Sequence, residues 1–518
     1  MVMRTLLLTA LAASLSLASP FERAATAVNT TTCNGQTYVY QALAGYGFTP
    51  SDSRDKFGDT AGGIGSSAAI DQKSWEVDSN GVYTGILWSL PDRGWNTEGT
   101  LNYQPRVHKF QITFKPDTVS NSSSPNLHLE YLDTIRFTDP VGTPLTGLDP
   151  DQQPPYLSFP GFSELPSATY IGDGFGGNGT GGQRVVGDTE GLVLADDGFW
   201  ISDEYGPYIF HFDHSGRMTV AIRPPPAIIP QRNGTDSFNA ASPPRYDPNI
   251  TTTPTNPTSG RSNNQGLEGL TSSPDRKTLY ALMQSALVQE GGRNASTRRL
   301  ARLLEYDISD AAHPVYKAEY VVPLPVFANS TLVAAQSEIH FISPTQFLVL
   351  ARDSGRGHGQ SNSQSRYRHI DVFDISNATN IASSGSSKGY DATTAAVASV
   401  DGVLASTVVP ATYCPWLDFN VNAQLNRFGV HNGGEQDAGL LNEKWESIAI
   451  APVNPPSNAG WKDWQAGSQG EYFIFSLSDN DFITQNGFMN GGQLPYADES
   501  GYSLDNQVLV FKVSLPVA

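Results

Sequence analysis

A hairpin-like unit, in which two apolar runs flank a short turn, recurs along the chain and constrains its fold more than any other feature. Its clearest copy is GDTEGLVLADDGFWISDEYG at 187–206, and the other four lie at 62–94, 264–287, 335–355 and 442–481. Repeated units that each continue into further strand-like runs are typical of the blades of a β-propeller. The sequence therefore predicts an all-β protein with a single propeller, and we expect six blades, of which five are readable.

Long segments rich in Pro, Gly, Ser, Asn or Thr separate the repeats, and we interpret them as surface loops of one domain at 140–184, 231–263, 355–367 and 383–400. The N-terminal run at 37–48 is predicted to supply the outer strand of the last blade and so close the ring. The 49 glycines and 35 prolines agree with a turn-rich, all-β fold.

The N-terminus indicates an exported protein. Residues 1–18 resemble a secretory signal, with an alternative cleavage after Ala27, and a propeller domain is predicted over 33–518. The two cysteines, Cys33 and Cys414, are expected to form a disulfide in an oxidising compartment. Eight N-x-S/T sequons are potential glycosylation sites, at Asn29, Asn121, Asn178, Asn233, Asn249, Asn294, Asn329 and Asn377.

Charge and hydropathy limit the partners. The formal net charge is −19, from 51 acidic residues against 32 lysines and arginines. This charge disfavours nucleic acid and anionic membrane surfaces as partners, and it leaves room for bound cations. No segment after the signal approaches the ~20 apolar residues of a membrane span. We therefore expect a secreted, extracellular monomer.

Carboxylates recur at two corresponding positions of the hairpins. A glutamate precedes the first apolar run in four copies, at Glu190, Glu268, Glu338 and Glu446. Further acids follow the second run, at Asp92, Asp203, Glu204, Asp353, Asp479 and Asp481. An antiparallel hairpin brings its two ends together, and the inner strands of a propeller line its channel. Both sets of acids are therefore predicted to surround one mouth of the channel.

Acids gathered in this way need a neutralising partner. Two carboxylates 4 Å apart repel each other by ~4 kcal/mol at an effective dielectric of 20. They coexist only if some are protonated, paired with basic groups or bound to metal. Oxygen donors without cysteine favour a hard cation, so the pattern predicts Ca²⁺ ahead of Mg²⁺ or Mn²⁺. The alternative is structural: each glutamate caps backbone N–H groups and holds one blade to the next.

Basic residues accompany the acids. Arg93 and Arg352 end two of the hairpins, Lys444 precedes a ring glutamate, and the loop 354–369 adds further basic groups. Such groups either receive an anion such as phosphate or pair with the neighbouring acids. The sequence contains no G-x-S-x-G and no H-E-x-x-H motif, so neither a serine-esterase elbow nor a zinc-peptidase site is supported.

Several motifs occur in a characteristic order: GGIGSS (62–67), LPDRGWN (90–96), DTEGL with ISDEYG (188–206), NQGLEGL (264–270), SEI with LARDSG (337–355) and KWESIAI with SDNDF (444–482). Together they resemble the phytase-like family, also called the "esterase-like activity of phytase" family, over roughly 57–515. The resemblance implies phosphoester hydrolysis at an acidic ring that calcium neutralises. It places the four glutamates in the ring, with a second set of acids at Asp203, Glu204, Asp353, Asp479 and Asp481. The third hairpin departs from the pattern, because Gln284 stands where an acid is expected.

The expected function is that of a secreted phosphoric-ester hydrolase, phytase-like or phosphodiesterase-like, with a small anionic phosphoester as substrate. One of Glu190, Glu268 and Glu338 would act as the base, and Arg93 and Arg352 would stabilise developing charge. Two alternatives remain open. One is a calcium-dependent lactonase or carboxylester hydrolase, and the other is a non-catalytic propeller whose mouth binds a glycan or a protein partner.

Overall fold

Five antiparallel sheets surround a central channel in the computed structural model, which describes residues 27–120, 124–327, 331–382, 396–455 and 469–516. Blades 1 to 4 each contain four strands in chain order, and the first strand lies innermost. Blade 1 contains Ser67–Val77, Tyr83–Leu90, Arg106–Phe114 and Leu127–Arg136. Blade 2 contains Thr189–Leu194, Gly198–Asp203, Ile209–Asp213 and Met218–Ile222. Blade 3 contains Leu267–Ser272, Thr278–Met283, Leu300–Asp307 and Val315–Pro323. Blade 4 contains Ala335–Phe341, Gln346–Arg352, Arg368–Asp374 and Thr412–Asp418.

Blade 5 joins the two ends of the chain. From the inside outwards it contains Lys444–Trp445 and Ala449–Pro452, then Gln469–Asp479, Asn506–Pro516, Gln36–Thr49 and Asn29–Cys33. The N-terminal run therefore pairs with the C-terminal strand, as the sequence predicts. Cys33 and Cys414 form a disulfide. This bond ties the outer edge of blade 5 to the outer strand of blade 4.

The propeller class is confirmed, but the described residues form five blades rather than the six that we expected. Each readable hairpin forms one blade, and the N-terminal strand completes the fifth blade instead of contributing to a sixth. The long loops also contain short hairpins, which pair Ser167–Tyr170 with Gly182–Val185, Gln231–Arg232 with Thr235–Asp236, and Gly487–Met489 with Leu494–Tyr496. The part of the chain that the structure describes contains three short helical segments, at Val288–Glu290, Asn422–Leu425 and Asn426–Phe428.

The apolar core lies between the blades. Five large clusters of buried side chains each join two neighbouring blades. One of them joins blade 5 to blade 1 and so closes the ring. The cluster between blades 1 and 2, for example, packs Leu90 and Val107 against Leu192 and Phe199. Successive side chains of a strand point to opposite faces, and every residue of strands such as Gln346–Arg352 and Gly198–Asp203 is buried, so both faces of these blades are covered.

Six of the eight sequon asparagines lie on the exposed surface of the described part, at Asn29, Asn178, Asn233, Asn249, Asn294 and Asn377. Asn121, Asn329 and the predicted signal at 1–18 lie outside the described residues. Among the described residues, none of the helices has the length and apolar character that crossing a membrane requires.

Candidate functional site

Bulges turn the glutamates of blades 2 and 3 towards the channel mouth. In blade 2, Glu190 and Gly191 together lie opposite Ser202, so one extra residue is inserted in the inner strand. Glu268 and Gly269 form the same irregularity in blade 3. A bulge bends its strand and re-aims the side chain, and bulges are over-represented beside active sites.

The glycine of each bulge allows neighbouring inner strands to approach closely. A Cβ atom on Gly191 would lie 2.5 Å from the carbonyl oxygen of Glu268, and one on Gly269 would lie 2.7 Å from the amide of Ile339. The Ser202 hydroxyl donates to the Glu268 carbonyl oxygen at 2.6 Å and accepts from the Gly191 amide at 2.8 Å. The Glu-Gly pair therefore places a carboxylate at the mouth and leaves room for the next blade.

A cavity of about 150 Å³ opens at this mouth, and every residue that lines it is polar. Seven lining residues are acidic, three are basic and three are amides: Asp92, Asp188, Glu190, Glu204, Glu268, Glu446, Asp481, Arg93, Arg352, Lys444, Asn96, Asn264 and Gln284. This composition favours a cation or a cation-bound anion over an apolar ligand.

One acidic triad, which we call the blade 2 triad, consists of Asp188, Glu190 and Glu204. These residues offer carboxylate oxygens that lie within 4.8 Å of one another, and all three are buried. Arg93 Nη1 donates to Asp188 Oδ2 at 2.9 Å. Within the described part of the chain, Asp188 Oδ1 and Glu204 Oε1 are buried without a hydrogen-bond partner. A buried oxygen without a donor is costly, so the triad is suited to bind a ligand.

A second triad, the blade 5 triad, consists of Asp92, Asp479 and Asp481, whose oxygens also lie within 4.8 Å of one another. Lys444 Nζ donates to Asp479 Oδ2 at 2.5 Å and to Asp481 Oδ1 at 2.8 Å. Lys444 and Asp479 face each other across two paired strands, which explains why residues so distant in sequence meet here.

Glu268 and Glu446 complete the mouth between the two triads. Gln284 donates its side-chain amide to Glu268 Oε1, and Arg352 donates to Glu446 Oε1. The second oxygens, Glu268 Oε2 and Glu446 Oε2, are buried and have no hydrogen-bond partner among the described residues. Gln284, the departure noted in the sequence, thus supports a ring glutamate.

The acids at the mouth raise one another's pKa. Burial and the nearby Glu268 raise the pKa of Glu190 well above its usual range, and burial and Asp479 do the same for Asp92. Burial, reinforced by Asp188, raises the pKa of Glu204 to about 8. The cause is the loss of solvation for the charged form together with like-charge repulsion. The cluster therefore takes up protons or cations.

Glu338 lies apart from this mouth. Its Oε1 accepts from the amides of Leu270 at 3.1 Å and Ile339 at 2.9 Å, and its Oε2 accepts from the Ser67 hydroxyl. It lines a different cavity of about 450 Å³ in the other half of the channel, where inner-strand residues of all five blades form the wall. Glu338 joins blades 1, 3 and 4 across the channel.

Two other predicted site residues, Asp203 and Asp353, accept hydrogen bonds from neighbouring protein groups. Asp203 accepts from the amides of Asp188 at 2.9 Å and Gly206 at 2.6 Å. Asp353 accepts from the Ser365 hydroxyl and the Arg366 amide, each at 2.7 Å. Neither residue lines the mouth cavity.

The structure thus gathers most of the predicted site residues: Glu190, Glu204, Glu268, Glu446, Asp92, Asp479, Asp481, Arg93 and Arg352. Asp188 lines the cavity but is not among the residues that the sequence predicts. Its signal is a second acid in the motif DTEGL, two residues before Glu190 and at the same end of the hairpin.

Comparison with known proteins identifies the family of this chain. A family model described as "Phytase-like: Esterase-like activity of phytase" matches residues 79–453. The chain belongs to this phytase-like family. The resemblance drawn from the sequence motifs is therefore confirmed, and family membership indicates a hydrolase.

An "Uncharacterized secreted protein" of Arthroderma benhamiae is 50% identical to this family member over 472 residues, which cover 89% of this chain and 90% of the relative. The disulfide between Cys33 and Cys414 agrees with an oxidising extracellular environment. The predicted localisation is confirmed: the protein is secreted.

The solved structures to which the chain was matched have low sequence identity and low TM-scores. A protein of unknown function from Dyadobacter fermentans is 9% identical, with a TM-score of 0.28 over 91% of this chain and 99% of that chain. An N-acetylgalactosamine deacetylase from F. plautii, in complex with blood group B trisaccharide, is 9% identical, with a TM-score of 0.31 over 91% and 95% of the two chains. Neither carries an argument about function.

Proposed function

We propose that this protein is a secreted phosphoric-ester hydrolase whose acidic channel mouth binds a calcium ion. The observation that carries the proposal is the convergence on one cavity of buried carboxylate oxygens that accept no hydrogen bond from the described residues: Asp188 Oδ1, Glu204 Oε1, Glu268 Oε2 and Glu446 Oε2. Three basic side chains line the same cavity. Acids that need a cation and bases that can receive an anion occur together where a phosphate ester would bind.

The residues at the mouth fit a calcium ion. Calcium takes six to eight oxygen ligands at about 2.3–2.6 Å, so ligands on opposite sides of one ion are separated by about 5 Å. The carboxylate oxygens of Asp188, Glu190 and Glu204 lie within 4.8 Å of one another. Side-chain oxygens of Glu268 and Gln284 remain unpartnered in the described part and line the same cavity. The donor set is entirely oxygen, as a hard cation requires.

A bound calcium ion would supply Lewis-acid polarisation of a phosphoryl oxygen and would lower the pKa of a coordinated water. Asp188, Glu204 and Glu268 would hold it, because each of them has a buried oxygen without a hydrogen-bond partner among the described residues that line the cavity. Their burial fixes their positions and excludes bulk water from around the charged groups.

Glu190 is the best placed base. It lines the cavity, and one of its carboxylate oxygens lies within 4.8 Å of oxygens of Asp188 and Glu204, so it can accept a proton from a water molecule in the cavity. Glu268 accepts a hydrogen bond from Gln284 through Oε1, and this bond fixes its carboxylate. Glu268 is therefore better suited to hold the cation than to act as the base. Glu338 accepts three hydrogen bonds from Ser67 and two amides, which favours a structural role.

The basic residues favour a phosphoester over a carboxylester substrate. Arg93, Arg352 and Lys444 line the cavity together. Arg352 Nε and Arg93 Nε are buried and have no hydrogen-bond partner within the described residues, so each arginine keeps a donor for a ligand. Guanidinium groups bind phosphate oxygens strongly because their N–H groups match the spacing of those oxygens.

The test is hydrolysis of phytate and of bis(p-nitrophenyl) phosphate by chelator-treated protein before and after calcium is restored. We expect calcium-dependent product release from at least one substrate. Glu190→Gln should lower the rate by about 10²–10⁴-fold if Glu190 acts as the base. Glu471→Gln is the matched control, because Glu471 pairs with Lys512 on blade 5, away from the mouth cavity.

Absence of calcium-dependent product from both phosphate esters would refute the proposal. A parallel panel of aryl carboxylesters and lactones identifies the alternative hydrolase. Loss of thermal stability in Glu190→Gln, without turnover of any substrate by the native protein, would instead support a non-catalytic binding propeller.

A further inference from the structure

The two acidic triads at the channel mouth differ in how many of their buried oxygens accept a hydrogen bond. Each offers three carboxylate oxygens within 4.8 Å of one another. Buried oxygens without a partner occur in the blade 2 triad and its neighbour, at Asp188 Oδ1, Glu204 Oε1 and Glu268 Oε2. Among the described residues, no buried unpartnered oxygen belongs to the blade 5 triad. The two triads therefore have different needs for an added cation.

Protein donors already occupy the blade 5 triad. Asp479 accepts from the Asp481 amide at 2.7 Å through Oδ1 and from Lys444 at 2.5 Å through Oδ2. Asp92 accepts from the Gly94 amide and the Asn96 side chain, both at 3.0 Å. Both oxygens of Asp479, both oxygens of Asp92 and one oxygen of Asp481 thus already accept hydrogen bonds.

The ammonium group of Lys444 contacts two of the three residues of this triad, Asp479 and Asp481, where a metal ion would need the same oxygens. Its Nζ lies 2.5 Å from Asp479 and 2.8 Å from Asp481, with Glu446 Oε2 at 3.8 Å. A calcium ion would contact similar oxygens at about 2.3–2.6 Å, so the ammonium group and a metal ion cannot share this space. The strand pairing between Lys444 and Asp479 holds the lysine in place.

We propose that Lys444 is a built-in cation that fills the blade 5 triad, so that the channel mouth binds a single divalent cation, held by Asp188, Glu204 and Glu268. The identity of the bound ion rests on the proposed function, whereas the exclusion of a second ion rests only on the contacts of Lys444. Replacing Lys444 by a neutral residue removes the ammonium and frees the oxygens of Asp479 and Asp481 for a second ion.

Calorimetric titration of chelator-treated protein with CaCl₂ tests this inference. We expect one calcium ion per native chain and two per chain in Lys444→Gln. Lys512→Gln is the control, because Lys512 also pairs with a glutamate and its side chain is 25% exposed, close to the 21% of Lys444. The control should bind one ion, like the native protein. Circular dichroism establishes that each variant is folded.

Two calcium ions in the native protein, or no gain of an ion in folded Lys444→Gln, would overturn the inference. If Lys444→Gln does not fold, the variants Asp481→Asn and Glu204→Gln decide the question. Asp481→Asn should still bind one ion, and Glu204→Gln should bind none. The opposite pattern would assign the ion to the blade 5 triad and overturn the inference.

Failure of the proposed function gives a different result from failure of this inference. A native chain that binds no calcium, with one ion in Lys444→Gln, would support the role of Lys444 and remove the calcium-dependent hydrolase. A native chain that binds two ions and hydrolyses phosphate esters would support the hydrolase and remove the role of Lys444.

Discussion

Arg93 of blade 1 and Asp188 of blade 2 form a buried ion pair at the rim of the channel, with Arg93 Nη1 2.9 Å from Asp188 Oδ2. The arginine side chain is 10% exposed and the aspartate side chain 2%. The pair joins two blades at the point where the inner strand of blade 2 begins. It also leaves the other aspartate oxygen, Oδ1, facing the cavity without a partner within the described part of the chain.

Arg93→Ala should therefore lower the free energy of unfolding by about 3–5 kcal/mol, because it leaves the Asp188 carboxylate buried without its partner. Urea denaturation in the presence of chelator measures this loss. Lys56→Ala is the control, since the Lys56–Asp133 pair is about half exposed and its loss should cost under ~1 kcal/mol. Equal losses in the two variants would contradict a structural role for the rim pair.

Gly191 tests the close approach of the inner strands. Gly191→Ala would place a Cβ atom 2.5 Å from the Glu268 carbonyl oxygen and equally close to the Leu270 Cβ and Ser202 Oγ atoms, so it should lower the free energy of unfolding by about 1–3 kcal/mol. Gly187→Ala, in the same motif, meets its nearest atom at an ordinary 3.4 Å and should change stability little. A Gly191→Ala variant as stable as Gly187→Ala would show that the bulge does not need its glycine.

Glu338 and Glu268 occupy equivalent positions in the sequence repeat but different places in the channel. We expect Glu268→Gln to weaken calcium binding by at least about tenfold, because it removes a charged oxygen from the mouth. Glu338→Gln should alter calcium affinity less than about twofold, since Glu338 contacts Ser67 and two amides away from the mouth cavity. Calorimetry measures both, and a similar loss in the two variants would place Glu338 in the binding site.

The repeat predicts the fold well because each hairpin is local. Turn residues such as ADDG at 195–198 and the apolar runs on either side define a strand pair without reference to the rest of the chain. The number of blades is harder to predict from the sequence, because the strand that completes blade 5 comes from the opposite end of the chain. The sequence predicts that the N-terminal run closes the ring, but the register that places Tyr40 opposite Val513 has no local sequence signal of its own.

The sequence predicts which residue types form the site and where they lie in the repeat. It does not predict the hydrogen-bond and ion-pair partners of each residue. The sequence places Glu338 beside the other glutamates, whereas its hydrogen bonds depend on Ser67 of blade 1, which is distant in sequence. Likewise, Lys444 is recognisable as a nearby base, but its contacts with Asp479 and Asp481 depend on strand pairing across the blade 5 loop. Contacts of this kind arise only when the ring closes.

His108 provides a test of pH-dependent stability away from the mouth. Burial, with a further effect of Arg106, lowers its pKa to about 3, and its Nδ1 contacts Thr134 Oγ1 at 2.8 Å. The unfolded chain protonates this histidine near pH 6.5, so the unfolded state binds more protons between about pH 6.5 and pH 3. The stability that neutral His108 contributes is therefore complete above about pH 6.5 and is lost as the pH falls towards 3.

His108→Gln should flatten this part of the profile, because glutamine does not titrate. The slope of the free energy of unfolding against pH should decrease by up to ~1.4 kcal/mol per pH unit relative to the native protein. Urea denaturation at a series of pH values from 7 to 4, with chelator present, provides the comparison. Parallel profiles for the two proteins would show that His108 is not held neutral by the fold.

The presence of a cation at the mouth is tested most directly by anomalous diffraction from crystals of the protein grown with CaCl₂ and measured at long wavelength. We expect one strong peak in the cavity, with oxygens of Asp188, Glu204 and Glu268 within about 2.3–2.6 Å of it, and no peak at Lys444. A map with no peak at the mouth, under conditions in which the phosphate esters are hydrolysed, would contradict calcium binding at this site.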